Sequence, residues 1–104
     1  MIYEMRTYTA KPGKLKSWLK VFEETRLPIL QRHLGRLVAA FTPDTGNVNQ
    51  LIHIWEYEDH LDRSRRREHL WSDPEWLDPT KNTSDALVEQ QGIILLPTAF
   101  SPLR

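Results

Sequence analysis

One stretch in the middle of the chain, Asn49 to Tyr57, restricts the fold more than any other. Most of its residues are β-branched or aromatic, a composition that favours a strand over a helix. Successive side chains of a strand point to opposite faces, so Ile52 and Ile54 share one face. The other face carries Leu51, His53, Trp55 and Tyr57. We expect helices to cover the isoleucines, and we take the row with the imidazole, the indole and the phenol as the candidate site.

Three other segments are predicted to form strands. Residues 2–9 alternate in the same way. One face of that strand carries Glu4, Arg6 and Tyr8. Residues 37–41 are followed by turn-forming residues at 43–47, which predicts an antiparallel hairpin with the central strand. Residues 92–96 are apolar after a glycine and are predicted to form the last strand.

The first helix is predicted from apolar residues that recur three and four positions apart from Leu15 onward. Pro28 removes one helical hydrogen bond and clashes with the preceding turn, so we expect a kink or a restart near Leu27. Gly35 is predicted to end the helix in a left-handed conformation.

The second half of the chain is strongly charged and carries weaker helical signals. Asp59 is placed to cap a helix that runs to about residue 71, with Leu61 among its few inward side chains. Residues 72–75 combine a capping side chain with proline and glutamate, which is typical of a second helix start. Residues 86–88 are predicted to resume the helix before the last strand.

This order of elements predicts a single α+β domain over residues 1–104 with the ferredoxin-like βαββαβ plan, an antiparallel sheet whose helices lie on one face. The face that we expect the helices to cover carries Tyr3, Met5, Ile52 and Ile54. The bare face would then carry Glu4, Arg6, Tyr8, His53, Trp55 and Tyr57. A bare, partly apolar face favours association, so we expect a homodimer or higher homo-oligomer whose two sheets enclose a cavity.

Composition excludes several classes of function. Fourteen basic and fourteen acidic residues cancel, so no general attraction to nucleic acid is expected. The chain has no cysteine and no apolar run near the roughly 20 residues of a membrane span. Its first residues do not resemble a signal peptide, which favours a cytoplasmic protein. The four histidines have no metal-site spacing and the glycines form no phosphate-binding loop, so neither a metal nor a cofactor is expected.

Four segments, in this order and at these separations, resemble the NIPSNAP family over nearly the whole chain. They are Ile2 to Thr9 with Lys11-Pro12-Gly13, Arg32 to Gly35, Asn49 to Tyr57, and Asp73 to Trp76. The resemblance implies a ferredoxin-like fold and a dimeric α/β barrel. It implies no reaction, because related dimeric barrels include cofactor-free monooxygenases, haem-degrading enzymes and plain ligand-binding proteins.

The candidate catalytic residues are His53, whose ordinary pKa suits a general base, and Tyr8 beside it. The candidate ligand-binding residues are Glu4, Arg6, His33, Trp55 and Tyr57. Each of these candidate residues also has a purely structural explanation. His53 could be a satisfied buried imidazole, Glu4 and Arg6 could neutralise each other, and His33 could complement the end of its helix. The aromatic residues could belong to a dimer interface, and the arginines at 63–67 to a solvated helix face.

Three functions follow from this pattern. The first is binding of a small planar or hydrophobic molecule between the sheets of a homodimer, with a cofactor-independent oxygenase-like or isomerase-like reaction on it. The second is a non-catalytic interaction or scaffold protein. The third is an RNA-binding domain of similar strand order, which ranks lowest because the glycine-aromatic signature and the positive charge of those domains are both absent.

Overall fold

The computed structural model of the protein describes all 104 residues. The strands are β1 (Ile2–Ala10), β2 (Arg36–Phe41), β3 (Gln50–Tyr57) and β4 (Leu87–Leu95). The α-helices are α1 (Leu15–Val21), α2 (Leu27–Leu34), α3 (His60–Leu70) and α4 (Pro74–Leu77). A π-helical turn (Phe22–Arg26) joins α1 to α2, and short 3₁₀ turns lie at Pro79–Lys81 and Ser84–Ala86. None of the helices combines the length and the apolar character that crossing a membrane requires.

The four strands form one antiparallel sheet in the order β2-β3-β1-β4, with β1 and β3 in the centre. The hairpin and the ferredoxin-like strand order predicted from the sequence are confirmed. In the central pair, Glu4 lies opposite Trp55 and Arg6 lies opposite His53. Directly opposite residues of an antiparallel pair point to the same face, so the two rows of candidate residues are brought side by side.

The predicted interruption of the first helix is a π-helical turn. The amide of Leu27 donates to the carbonyl of Phe22, five residues earlier, and α2 then begins with Pro28 in its first turn. Proline has no amide to donate and crowds the carbonyl four residues before it, and a widened turn relieves that conflict. The helix ends at Gly35, whose φ of 85° is a conformation that glycine adopts without strain.

The helices cover the opposite face of the sheet from the one that we predicted. Trp55 is 0% exposed, Tyr57 1%, and His53 and Glu4 2% each, all beneath the helical layer. The prediction was wrong because it treated polar side chains as unsuited to that layer. The structure instead provides partners, Arg63 of α3 for Glu4 and the indole of Trp55 for His53.

The bare face of the sheet is therefore the more apolar one. Ile52 and Ile54 lie on it half-buried, whereas Phe41 and Ile93 are 59% and 50% exposed. At one end the C-terminal residues turn back over this face, so that Leu103 borders a depression that Tyr3 and Ile54 also line. The rest of the face has no cover within the chain.

Two details of the second half differ from the prediction. Asp59 caps α3 as expected, with its Oδ1 accepting from the amide of Asp62 at 2.7 Å. Leu61, however, is 57% exposed, and Leu70 is the buried apolar residue of that helix. The prediction of a helix at residues 86–88 was wrong, because β4 begins at Leu87 and pairs with nearly the whole of β1. Pairing with a central strand outweighs the helical preference of the local residues.

Candidate functional site

A cavity of about 170 Å³ lies between the helix-covered face of the sheet and the helical layer. We call it the arginine cavity. Four of the predicted residues line it, namely Arg6 and Tyr8 of β1 with His53 and Trp55 of β3. These four side chains thus border one space, whereas Glu4, which was predicted to share it, does not line the cavity. That space lies within the single chain, between its sheet and its own helices, and not between the sheets of two chains.

Aromatic side chains form most of the apolar wall. Six rings border the cavity, those of Tyr8, Trp18, Phe22, Trp55, Trp71 and Trp76. Trp18 and Phe22 stack with ring centroids 4.9 Å apart, and Tyr8 meets His53 edge-on at 4.7 Å. Edge-on and stacked aromatic pairs are favourable geometries, so the wall is an organised surface rather than a loose void.

Glu4 lies at the centre of a charged cluster behind this wall. Its carboxylate accepts from Arg6 Nη1 at 3.1 Å and from Arg63 Nη2 at 2.9 Å. The guanidinium of Arg67 is the third cation, at 4.0 Å from Glu4 Oε1. Burial alone would raise the pKa of Glu4, but the hydrogen bond from Arg63 and the charges of the arginines outweigh it and hold the pKa below its ordinary value. The carboxylate is therefore ionised.

Gly92 makes room for this cluster. It lies opposite Arg6 in β4, and a Cβ placed there would come within 3.2 Å of both Arg6 Nη1 and Glu4 Oε2. Contacts of that length are tighter than carbon atoms normally make, so any larger residue would push the pair aside. Because Gly92 has no side chain, the Arg6–Glu4 ion pair can lie close to β4.

His53 has a defined hydrogen-bonding state. The indole N–H of Trp55 donates to His53 Nδ1 at 2.8 Å, and an indole nitrogen can only donate. Nδ1 therefore carries no hydrogen, and the neutral ring carries its hydrogen on Nε2. That Nε2 is buried and has no hydrogen-bond partner within the chain.

The charge state of His53 agrees with this arrangement. Burial, and then the nearby charge of Arg6, lower the pKa of His53 to about 4, with Glu4 opposing the shift. The imidazole is neutral throughout the physiological range as a result. A buried N–H donor without an acceptor is costly, commonly by about 1 to 3 kcal/mol, so an acceptor that enters from outside would be stabilised there.

The other predicted site residues lie outside the cavity wall. Tyr57 is buried beside the charged cluster, with its hydroxyl 3.5 Å from Glu4 Oε1, and burial followed by the charge of Glu4 raises its pKa to about 12. His33 is not near the site. Its Nε2 lies 2.6 Å from Asp73 Oδ2, which ties the end of α2 to the start of α4. The structure therefore does not bring His33 together with the other candidates, and the contact with Asp73 favours its structural role.

Several site residues were missed from the sequence. The guanidinium of Arg26 lies 3.7 Å above the ring of Trp76 and donates to the carbonyl of the same residue at 3.1 Å. The indole of Trp18 donates to the carbonyl of Thr83 at 3.1 Å. These contacts hold the segment after α3 over the cavity mouth. Only Arg67 had a usable signal, since its place in α3 follows Arg63 by four residues and precedes Leu70 by three, which puts all three on one helix face.

A second cavity of about 240 Å³ adjoins the first and is almost wholly apolar. Leu19, Leu27, Leu37 and Leu51 contribute to its wall. Phe22 and His53 border both cavities, so they form the partition between them. No group of three or more His, Asp or Glu side chains in the chain is arranged to hold a metal ion.

The strand order, the one-sided helical layer and the internal cavity define a ferredoxin-like α+β protein. Solved structures of the same fold include a putative antibiotic biosynthesis monooxygenase from Nitrosomonas europaea, at a TM-score of 0.64 and 12% identity, with 93% of this chain and 98% of that chain covered. Identity that low shows a shared fold alone.

The chain belongs to the NIPSNAP family, whose model matches residues 3–102. Protein Atu4242 from Agrobacterium tumefaciens is similar over the full length of both chains, with a TM-score of 0.93 and 38% identity. Among longer relatives, Protein NipSnap of Drosophila melanogaster is 33% identical across 97% of this chain. NipSnap homolog 3A of Homo sapiens is 29% identical across 99% of it. The chain spans 36% and 42% of the length of these two proteins.

Proposed function

We propose that the protein binds a small planar molecule in the arginine cavity. The observation that carries the proposal is the unpaired, buried Nε2–H of His53, a residue that borders the cavity. Nearly every buried donor in a protein has a partner, and the exceptions are commonly explained by a catalytic role or by a bound water or ion. An acceptor atom on a ligand would supply the missing hydrogen bond.

The cavity walls support a planar molecule in particular. The stacked pair of Trp18 and Phe22 presents flat apolar surface, and the Tyr8 hydroxyl, which accepts from Arg6 Nε at 3.0 Å, keeps its own hydrogen for a further acceptor. Binding sites for small molecules commonly combine such apolar walls with a few placed polar groups.

The hydrogen bonding of His53 favours binding over base catalysis. A general base needs a free lone pair, but Trp55 occupies Nδ1 and Nε2 carries the hydrogen. The oxygenase-like or isomerase-like reaction would then have to use Tyr8 or groups of the substrate itself. We therefore place ligand binding first and the reaction second.

The first test is the binding of single-ring carbonyl compounds, for which benzamide and acetophenone are suitable probes. His53→Ala should weaken their binding at least about tenfold, or roughly 1.4 kcal/mol, because the donor to the ligand is lost. Nuclear magnetic resonance titration at millimolar probe concentration measures this directly.

The matched control is His60→Ala, which removes an exposed imidazole from the start of α3. It should leave probe binding and folding unchanged. If neither probe binds the parent protein at millimolar concentration, or if the two variants bind both probes as tightly as the parent does, the cavity is not a ligand site. A non-catalytic interaction or scaffold role then becomes the better proposal.

We also propose that the bare sheet face is covered by a second copy of the chain. The exposed apolar side chains of Phe41 and Ile93, together with half-buried Ile52 and Ile54, give this face an apolar character on one central strand and both outer strands. Exposed apolar surface of this kind favours association. The same surface on each copy would pack across a two-fold axis, as in the dimeric barrels that the sequence resembles.

Sedimentation velocity at micromolar concentration tests this assembly. The parent protein should sediment as a dimer, and Ile54→Lys should shift it to a monomer, because a charge would be buried in the interface. Leu61→Lys, on the exposed side of α3, is the control and should leave the dimer intact. A monomeric parent protein would contradict the proposal.

A further inference from the structure

The charge of the arginine cavity is one-sided. Three arginines border it, Arg6, Arg26 and Arg67, and no aspartate or glutamate does. His53 adds no charge because its pKa is far below neutrality. A cavity with cationic walls and no lining carboxylate is electrostatically suited to an anion.

The cluster behind the wall does not cancel this charge. Glu4 is the one carboxylate in contact with Arg6, Arg63 and Arg67, so three guanidiniums face one acid and two positive charges are left. All three arginine side chains are mainly buried, at 18%, 27% and 26% exposure respectively. Solvent screening is reduced for charges placed in this way.

Arg67 is the cavity arginine with the most uncommitted hydrogen-bond donors. Its closest acidic atom is Glu4 Oε1 at 4.0 Å, which is beyond hydrogen-bond distance. Arg6 donates from Nε to Tyr8 and from Nη1 to Glu4, so its Nη2 is uncommitted. Both guanidiniums border the cavity, and guanidinium is the side-chain group best shaped for a carboxylate.

The size of the cavity limits the rest of the ligand. Its volume of about 170 Å³ is close to the roughly 150 Å³ of an engineered apolar cavity that holds one benzene molecule. One aromatic ring with a short substituent fills such a space.

We infer that the ligand is a small aromatic carboxylic acid. Its ring lies against Trp18 and Phe22, its carboxylate is bound by Arg67 and by Nη2 of Arg6, and an acceptor on it receives the Nε2–H of His53. This inference rests on the proposed function, since it names the class of molecule that the same cavity takes.

The experiment compares benzoate with benzamide, which has nearly the same shape and no charge. By calorimetry the parent protein should bind benzoate at least about tenfold more tightly than benzamide. Arg67→Gln should abolish the preference by weakening benzoate and leaving benzamide unchanged. Arg67→Lys should retain part of it, because the charge is kept while the forked geometry is lost.

Arg65→Gln is the matched control, since Arg65 is an exposed arginine of the same helix that does not border the cavity. It should bind both probes as the parent does, and thermal unfolding should show every variant to be folded. The inference is overturned if benzamide binds the parent as tightly as benzoate, or if Arg67→Gln keeps the preference. Benzamide binding that depends on His53 would still support the proposed function in that case, whereas failure of both probes to bind removes both proposals.

Discussion

Phe22→Ala is expected to lower the free energy of unfolding by about 3 to 5 kcal/mol. Phe22 is 7% exposed, stacks on Trp18, and meets Tyr8 and His53 edge-on at 6.3 and 6.0 Å. Because it also forms the partition between the two cavities, its removal would join them into one larger void that the rigid sheet cannot close. Urea denaturation of the parent and the variant measures the difference.

Two further variants make this result specific. Phe22→Leu keeps most of the volume and should cost clearly less than Phe22→Ala. Arg65→Ala, on the exposed side of α3, should cost well under 1 kcal/mol. A larger loss for Arg65→Ala than for Phe22→Ala would mean that the helical layer packs differently from the arrangement described above.

Glu4→Gln is the second change with a large expected effect, again a loss of about 3 to 5 kcal/mol at neutral pH. The substitution keeps the shape of the side chain but leaves Arg6, Arg63 and Arg67 close together and mainly buried without their shared anion. Glu75→Gln is the control, because Glu75 is an exposed carboxylate that pairs with Arg32 and Lys81. It should cost less than about 1 kcal/mol.

The difference in unfolding free energy between the parent and Glu4→Gln should depend on pH in one direction. The folded-state pKa of Glu4 lies below its ordinary value of 4.5, so the stability that its ionised form contributes is fully present above about pH 4.5. It is lost as the pH falls through the folded-state pKa. The gap between the parent and Glu4→Gln should therefore be constant near neutrality and narrow in acid. A gap that widened below pH 4.5 would contradict the ionised state assigned to Glu4.

Much of the backbone architecture could be predicted from local patterns. The alternation in β1 and β3, the turn between β2 and β3, and the capping residues Asp59 and Asp73 each depend on neighbours within a few positions. Pro28 marked the place where the first helix changes its winding, because the missing amide acts on its own turn. The strand order followed from these elements by the usual rules of chain connection.

The face that the helices cover could not be predicted from alternation, which groups residues without saying which group is buried. The decision depended on whether Glu4 and His53 could be satisfied in the interior. The partners that satisfy them, Arg63 for Glu4 and the Trp55 indole for His53 Nδ1, are a charged helix residue and a strand neighbour on the same face. The arginines of α3 were assigned to a solvated helix face, whereas the buried side of that helix consists of arginines with one leucine.

In the candidate site, too, local properties could be predicted from the sequence and long-range contacts could not. Residues on one face of the central strands could be grouped in advance because strand parity is a local property. The depth of the cavity, the uncommitted guanidinium of Arg67 and the partition at Phe22 depend on how α2, α3 and the segment after α3 lie over the sheet. Such contacts join residues far apart in the chain, and a single sequence does not specify their geometry.

The tryptophans have an optical consequence. All four tryptophans of the chain border the arginine cavity, so indole absorption and emission in this protein originate at one place. Trp55 and Trp18 are buried, whereas Trp71 is 56% exposed. Ultraviolet fluorescence of the unlabelled protein should therefore respond to the filling of this cavity, and the colour of the emission should separate events at the buried indoles from events at the exposed Trp71. Tryptophan fluorescence thus reports ligand binding in the cavity, so unmodified protein can be screened against mixtures of compounds.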